Sequence, residues 1–123
     1  MNVVDSSGWL EYFTDGRNAE FFSKPIEDTM ELIVPVISLY EVFKKVLLER
    51  GEGEALQAVA IMQEGDVIEL NSTLAIHAAK ISAELKIPMA DSMMLATARE
   101  YDAILWTQDE DFDGLAGVRY IPK

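Results

Sequence analysis

Four acidic residues stand near the ends of short apolar segments, where a parallel sheet would gather them. They are Asp5, Glu41, Asp91 and Asp109. A buried, unpaired carboxylate is energetically costly, so a cluster of them needs hydrogen-bond donors or a cation. The chain has no cysteine and a single histidine, His77, so oxygen ligands would have to hold any metal ion. These residue types favour a hard divalent cation.

The densest group of acids lies in residues 88–112. Helical spacing places Asp91 on the same stripe as Leu95, so that an acid lies on the core-facing side of a predicted helix. The apolar run 103–106 predicts a short strand, and the polar run 107–111, Thr-Gln-Asp-Glu-Asp, follows it directly. Two carboxylate sites therefore flank one strand-helix unit.

Short apolar strands alternate with amphipathic helices along the chain. Strands are predicted at 2–5, 31–36, 66–70, 103–106 and 118–121. Because parallel strands need helical crossovers, the pattern predicts an α/β fold, a three-layer α/β/α sandwich with a mainly parallel central sheet. The carboxyl ends of such strands share one edge, where ligands usually bind. Asp5, Glu41 and Asp109 should meet there, and Asp91, near its helix start, could join them.

Each acid also has a purely structural explanation. Asp5 or Ser7 could cap the helix that follows the first strand. Glu41 stands three residues after Ser38, which predicts a capping box with Ser38 as its first residue, and Glu41 could also pair with Lys45 one turn later. Carboxylates favour helix N-termini in general, so the convergence of the acids carries more weight than any one of them.

Two further residue types are interpreted as structural. His77 borders the apolar face of a predicted helix at 71–85 and is interpreted as a packed, hydrogen-bonded residue. Met89, Met93 and Met94 are predicted to fill the core.

Composition limits the classes of protein that fit. The 123 residues suit one domain, and the formal charge of −12 opposes broad binding to a phosphate backbone. Acids that hold divalent cations can still grip a phosphate, because the cations invert the local field. No apolar run is long enough to cross a bilayer and the N-terminus lacks the features of a signal peptide, so we expect no membrane contact and a cytoplasmic location.

With these residues in view, the chain resembles the PIN-domain nucleases, and most closely the small VapC-type toxins of prokaryotic toxin-antitoxin pairs. The resemblance covers almost the whole chain. It rests on Val-Val-Asp-Ser-Ser at 3–7, Ser-Leu-Tyr-Glu at 38–41, Ala-Asp at 90–91 and Thr-Gln-Asp-Glu-Asp-Phe at 107–112. No single segment is specific, but their order, their spacing and the chain length together make a strong set.

The resemblance implies a single PIN-like nuclease domain over residues 1–123. It implies that the catalytic, metal-binding residues are the acidic quartet Asp5, Glu41, Asp91 and Asp109, which would hold Mg²⁺ or Mn²⁺. Thr107 would support the site by hydrogen bonding, and Asp111 would add charge or a water-mediated contact. The implied reaction is hydrolysis of RNA phosphodiester bonds by an endoribonuclease, often on structured RNA such as tRNA or ribosomal RNA.

Partners are implied in the same way. Members of the family commonly form dimers and pair with an antitoxin that covers the site. The chain has ten lysine and arginine residues and no basic run beyond Lys44 and Lys45. We predict that Lys44, Lys45 or Arg99 contacts RNA, and that RNA contacts are assembled across a homodimer.

Three other classes remain as alternatives. A signalling receiver-like domain also gathers acids at one sheet edge, but it would want a second acid beside Asp5 and a lysine after its last strand. A phosphatase with an Asp nucleophile would likewise want a second aspartate close to Asp5. A non-catalytic interaction module would have no reason to keep four converging carboxylates, since their repulsion destabilises the fold.

Overall fold

The computed structural model describes all 123 residues and contains a five-stranded sheet in which every pair of neighbouring strands is parallel. The strands are β1 (Asn2–Val4), β2 (Leu32–Pro35), β3 (Asp66–Ile68), β4 (Ile104–Thr107) and β5 (Val118–Tyr120). Their order in the sheet is β3-β2-β1-β4-β5, so β1 lies at the centre between β2 and β4. The predicted mainly parallel sheet is confirmed, and all of its strands are parallel.

Six helices connect these strands. They are α1 (Ser6–Phe13), α2 (Ala19–Glu27), α3 (Val36–Arg50), α4 (Glu52–Met62), α5 (Ser72–Leu85) and α6 (Met89–Glu100), with short 3-10 helices at Thr29–Glu31 and Glu110–Phe112. None of the helices is long and apolar enough to cross a bilayer.

Alternating side chains of the central strands build a separate core on each face of the sheet. Val3 and Leu105 pair in register and face α5 and α6, where they pack with Leu95. Val4 and Trp106 pair in register and face the opposite way, where they pack with residues of α1 to α4. This two-sided burial follows from the period of two in a strand. It confirms the predicted three-layer α/β/α sandwich.

The apolar runs overstate the burial of some side chains. Met94 is fully buried and Met93 packs against the core, but Met89 is 66% exposed. Met89 is the first residue of α6 and follows Pro88, between the end of α5 and the start of α6. It therefore precedes the part of α6 that packs against the sheet. The prediction that Met89 fills the core is therefore wrong.

Candidate active site

Asp5 lies immediately after the central strand β1, at the carboxyl edge of the sheet, and is 3% exposed. Its Oδ2 atom accepts a hydrogen bond from Ser7 Oγ at 2.9 Å and another from Thr107 Oγ1 at 2.9 Å. Asp5 occupies the N-cap position of α1, but its side chain caps no backbone N–H group. The capping explanation of Asp5 is therefore wrong. Its carboxylate is held by hydroxyl groups of the site instead.

Glu41 reaches the same edge from α3. Ser6 Oγ donates to Glu41 Oε1 at 2.8 Å, which joins the residue after Asp5 to Glu41. The predicted capping box is wrong because α3 begins at Val36 and Ser38 lies inside it, where Ser38 Oγ contacts Met94 Sδ at 3.7 Å. The predicted pairing of Glu41 with Lys45 is also not seen, since Lys45 pairs with Glu49 at 2.9 Å.

Three further acids meet beside these two. Asp91 lies in the first turn of α6, and Asp109 and Asp111 follow β4. One carboxylate oxygen from each of the three lies within 4.8 Å of the others. Asp111, predicted to have a supporting part, thus belongs to the same cluster as Asp91 and Asp109.

Thr107 links the two sides of the site. It is fully buried at the end of β4, where it donates to Asp5 and accepts from the backbone N–H of Asp109 at 2.9 Å. Asp109 Oδ1 in turn accepts from the backbone N–H of Asp111 at 3.0 Å. A single hydroxyl group therefore fixes the loop of Asp109 relative to Asp5.

The electrostatics of the site reflect this crowding of like charges. Burial raises the pKa of Asp5 to about 6, although the hydrogen bonds from Ser7 and Thr107 act in the opposite direction. Burial is also the main reason that the pKa of Asp91 rises to about 7. The negative charges that raise it further are those of Asp5, Asp109, Glu41 and Asp111. The same four charges would favour a bound cation at this place.

The donor set fits a hard divalent cation. All five side chains are carboxylates, which Mg²⁺ and Mn²⁺ accept as ligands. Opposite ligands of an octahedral Mg²⁺ are separated by about 4.2 Å, twice the usual metal-oxygen distance. The oxygens of Asp91, Asp109 and Asp111 already lie within 4.8 Å of one another, so small side-chain movements would bring them into range.

The three predicted RNA contacts lie in different places. Lys44 and Lys45 are exposed on α3, one turn after Glu41, and the Lys44 Nζ atom lies 5.7 Å from the centre of the Tyr40 ring. Arg99 is in the last turn of α6, about two turns beyond Asp91 and towards the opposite edge of the sheet. The two lysines thus follow Glu41 on the same helix, with Lys45 paired to Glu49, whereas Arg99 lies at the far end of α6 from Asp91.

Sequence reasoning missed the polar residues that hold the acids. The segment at 3–7 contains Ser6 and Ser7, but the sequence does not predict that they donate to Glu41 and Asp5. It also predicts no role for Asn18 and Gln108, although both are buried and hydrogen-bonded to each other at 2.9 Å. Ninety positions separate these two residues, so no local pattern could have linked them.

Known proteins share this fold. A family model described as PIN domain matches residues 3–118. The chain superposes on a protein of a toxin-antitoxin complex from Klebsiella pneumoniae with a TM-score of 0.80, at 21% identity over 97% of this chain and 96% of that chain. For VapC20 from Mycobacterium tuberculosis, described as a sarcin-ricin loop cleaving toxin, the TM-score is 0.77 at 18% identity, over 97% of this chain and 99% of that one.

For DNA-bound VapBC from Salmonella typhimurium the TM-score is 0.75 at 17% identity, with 98% of this chain and 96% of that chain covered. No curated protein sequence matches the chain. The solved structures establish a common fold, and the family model covers nearly the whole chain. The chain therefore belongs to the PIN domain family.

Proposed function

We propose that this chain is a metal-dependent endoribonuclease, acting as a single domain over residues 1–123. The observation that carries the proposal is the meeting of five carboxylates at one sheet edge. Three of them, Asp91, Asp109 and Asp111, have oxygens within 4.8 Å of one another, and the pKa of Asp91 is raised by burial and then by the charges of Asp5 and its other acidic neighbours. Such a site repels a phosphate when empty of cations and attracts one when cations are bound.

In the proposed reaction the carboxylates of Asp5, Glu41, Asp91 and Asp109 would hold Mg²⁺ or Mn²⁺, with Asp111 beside them. A bound ion would supply Lewis-acid chemistry, by polarising the scissile phosphate and making a water molecule more acidic. The chain itself positions the groups. Both hydrogen bonds to Asp5 end on Oδ2, which leaves Oδ1 without a side-chain donor. Ser6 fixes Glu41 in the same manner through Oε1.

We further propose RNA as the substrate, and structured RNA such as tRNA or ribosomal RNA in particular. Support comes from the family resemblance and from the similar fold of VapC20, described as a sarcin-ricin loop cleaving toxin. The charge of −12 limits phosphate contacts to few places, and Lys44 and Lys45 offer one of them, a turn after Glu41 on α3.

The proposed partners are a cognate antitoxin protein and a second copy of the chain, with the protein acting as a toxin in the cytoplasm. The antitoxin is supported by the fold neighbours from Klebsiella pneumoniae and Salmonella typhimurium, which are described as toxin-antitoxin or VapBC complexes. The homodimer would bring the two sets of lysines together around one RNA.

The test is incubation of the purified chain with total RNA, with and without Mn²⁺, beside the variants Asp5→Asn and Asp91→Asn. We expect cleavage that needs Mn²⁺ and that each variant lowers by at least about 100-fold. Asp66→Asn is the matched control, because Asp66 is an exposed acid at the start of β3, on the opposite edge of the sheet. Equal cleavage by Asp5→Asn and Asp66→Asn, or cleavage that ignores the metal, would contradict the proposal.

A further inference from the structure

Two buried carboxamides tie distant parts of the chain together behind the acids. Asn18 is 6% exposed and Gln108 is 7% exposed. Asn18 Nδ2 donates to Gln108 Oε1 at 2.9 Å and to the carbonyl oxygen of Pro122 at 3.1 Å. Gln108 Nε2 donates to the carbonyl oxygen of Ser7 at 3.4 Å. The pair thus joins the start of α1, the start of α2, the loop after β4 and Pro122.

The side chain of Asn18 makes these hydrogen bonds instead of capping the helix that follows it. Asn18 occupies the N-cap position of α2, where an asparagine usually accepts a hydrogen bond from the helix and contributes about 1 kcal/mol to its stability. Here its side chain caps no backbone group. Both hydrogen bonds of its amide point to Gln108 and Pro122 instead.

The tie closes a ring of contacts around Asp5. Ser7 and Thr107 both donate to Asp5 Oδ2. Gln108, which follows Thr107, donates to the backbone carbonyl of Ser7 and so completes the ring. Asp109 follows Gln108 directly in the chain. Any movement of Gln108 away from Ser7 would therefore carry Asp109 away from Asp5.

Repulsion between the carboxylates of Asp5 and Asp109 favours the movement of Asp109 away from Asp5. The Thr107 hydroxyl group contacts both the Asp5 carboxylate and the backbone of Asp109, so the two acids are held close together and their negative charges repel each other. Asn18 and Gln108 are neutral and can hold the two segments together without adding charge. Buried amide networks of this kind are rigid when their hydrogen bonds are satisfied, and no buried side-chain N or O atom lacks a partner.

We propose that Asn18 and Gln108 are positioning residues that hold the loop of Asp109 and Asp111 against Asp5, and that they thereby set the affinity of the acidic site for a divalent cation. This inference rests on the proposed function, because it assigns the amide pair to the same metal site. Neither amide is a catalytic residue, since both contact other protein groups.

The experiment measures Mn²⁺ binding by titration calorimetry, together with the melting temperature, in Asn18→Leu and Gln108→Met, two variants of similar side-chain shape that lack the hydrogen bonds. We expect the Mn²⁺ concentration at half-saturation, the Mn²⁺ midpoint, to rise by about tenfold in each. The double variant should add little to either single variant, because both break the same contact. RNA cleavage should recover at saturating Mn²⁺.

Asn71→Ala is the control for stability alone. Asn71 Oδ1 accepts from the backbone N–H of Leu74 at 2.9 Å and caps α5, so its loss lowers the melting temperature without touching the site. Asn18→Ser is the second variant in case Asn18→Leu does not fold. Serine caps a helix well but cannot reach both Gln108 and Pro122, and it should raise the Mn²⁺ midpoint as Asn18→Leu does.

Unchanged Mn²⁺ midpoints in the Asn18 and Gln108 variants, with melting temperatures lowered as in Asn71→Ala, would overturn the inference and leave the proposed function intact. A wild-type chain that neither cleaves RNA nor gains stability from Mn²⁺ would overturn both. The wild-type measurement therefore separates the two failures.

Discussion

Asp5 and Asp91 are two aspartates of one site, but the surroundings of their carboxylates differ. Asp5 is 3% exposed and is held by the hydroxyl groups of Ser7 and Thr107. Asp91 is half-buried. Burial and the charges of neighbouring acids raise its pKa, and no hydrogen bond acts in the opposite direction as in Asp5. Hydrogen-bond donors thus fix the carboxylate of Asp5, whereas negatively charged side chains surround that of Asp91.

This difference between Asp5 and Asp91 indicates which carboxylate the protein positions without a ligand. Asp5 follows the central strand, and its position is set by contacts that need no ligand. Asp91 lacks a counter-charge in the protein, and its carboxylate oxygen lies within 4.8 Å of those of Asp109 and Asp111. A cation would therefore change the energy of Asp91 more than that of Asp5, because Asp91 is crowded by four acids and, unlike Asp5, has no hydroxyl donors to stabilise its negative charge.

The largest effect should be on the pH dependence of stability without metal. Both aspartates have pKa values above the ordinary value of 3.8, at about 6 for Asp5 and about 7 for Asp91. Between pH 4 and pH 7 the folded chain then holds protons that the unfolded chain has lost. The free energy of unfolding should fall as the pH rises from about 4 to about 7 and then level off.

Asp5→Asn and Asp91→Asn should each remove a large part of this pH dependence. Asp5→Asn removes the share of Asp5, roughly 3 kcal/mol, and Asp91→Asn removes the share of Asp91, whose pKa is raised further. Urea unfolding of the wild type and both variants in a chelator, at pH 5 and pH 8, gives the comparison. A variant with the same pH dependence as the wild type, or a loss of stability at pH 8 in Asp5→Asn, would refute it.

The next effect concerns the two hydroxyl groups that hold Asp5. Thr107→Val keeps the side-chain shape but loses the bonds to both Asp5 and Asp109, whereas Ser7→Ala loses only the bond to Asp5. Groups that orient metal ligands typically contribute 10-fold to 100-fold in affinity or activity, so we expect a loss of about that size for Thr107→Val. Ser7→Ala should lose only about a few-fold, below that range.

The measurement is kcat/KM on one RNA oligonucleotide at saturating Mn²⁺. Thr107→Ser is the matched control, since it restores the hydroxyl group and should stay close to the wild type. An equal loss in Ser7→Ala and Thr107→Val would mean that the bridge to Asp109 is unimportant.

The sequence predicts the fold well because its strands are short apolar runs separated by helical patterns. Runs such as Leu32–Pro35 and Ile104–Thr107 are buried almost throughout, as expected of parallel strands between two layers of helices. Parallel strands also bring their carboxyl ends to one edge, which is why Asp5 and Asp109 could be expected to meet. Their catalytic and metal-binding roles stay predictions.

What the sequence does not predict are the contacts made by small polar side chains. Ser38 matches a capping box with Glu41, but Pro35 at the N-cap position lets α3 begin two residues earlier than Ser38. Ser38 then becomes buried against Met94. Local patterns describe what a hydroxyl group can do near its own backbone, whereas tertiary packing decides which partner it meets.

The smallest effect should come from the three cations that are predicted to contact RNA. Lys44 and Lys45 lie one turn beyond Glu41, and Arg99 lies about two turns beyond Asp91. Lys44→Gln with Lys45→Gln should raise the KM for RNA by about two-fold to five-fold and make cleavage less sensitive to salt, because each phosphate contact releases counterions. Arg99→Gln should change the KM less, since it lies towards the other edge of the sheet.

Cleavage rates at several salt concentrations test this order. Lys24→Gln is the control, because Lys24 is an exposed cation on α2. If neutralising Lys44, Lys45 and Arg99 together left both the KM and its salt dependence unchanged, RNA would have to reach the acids by another surface.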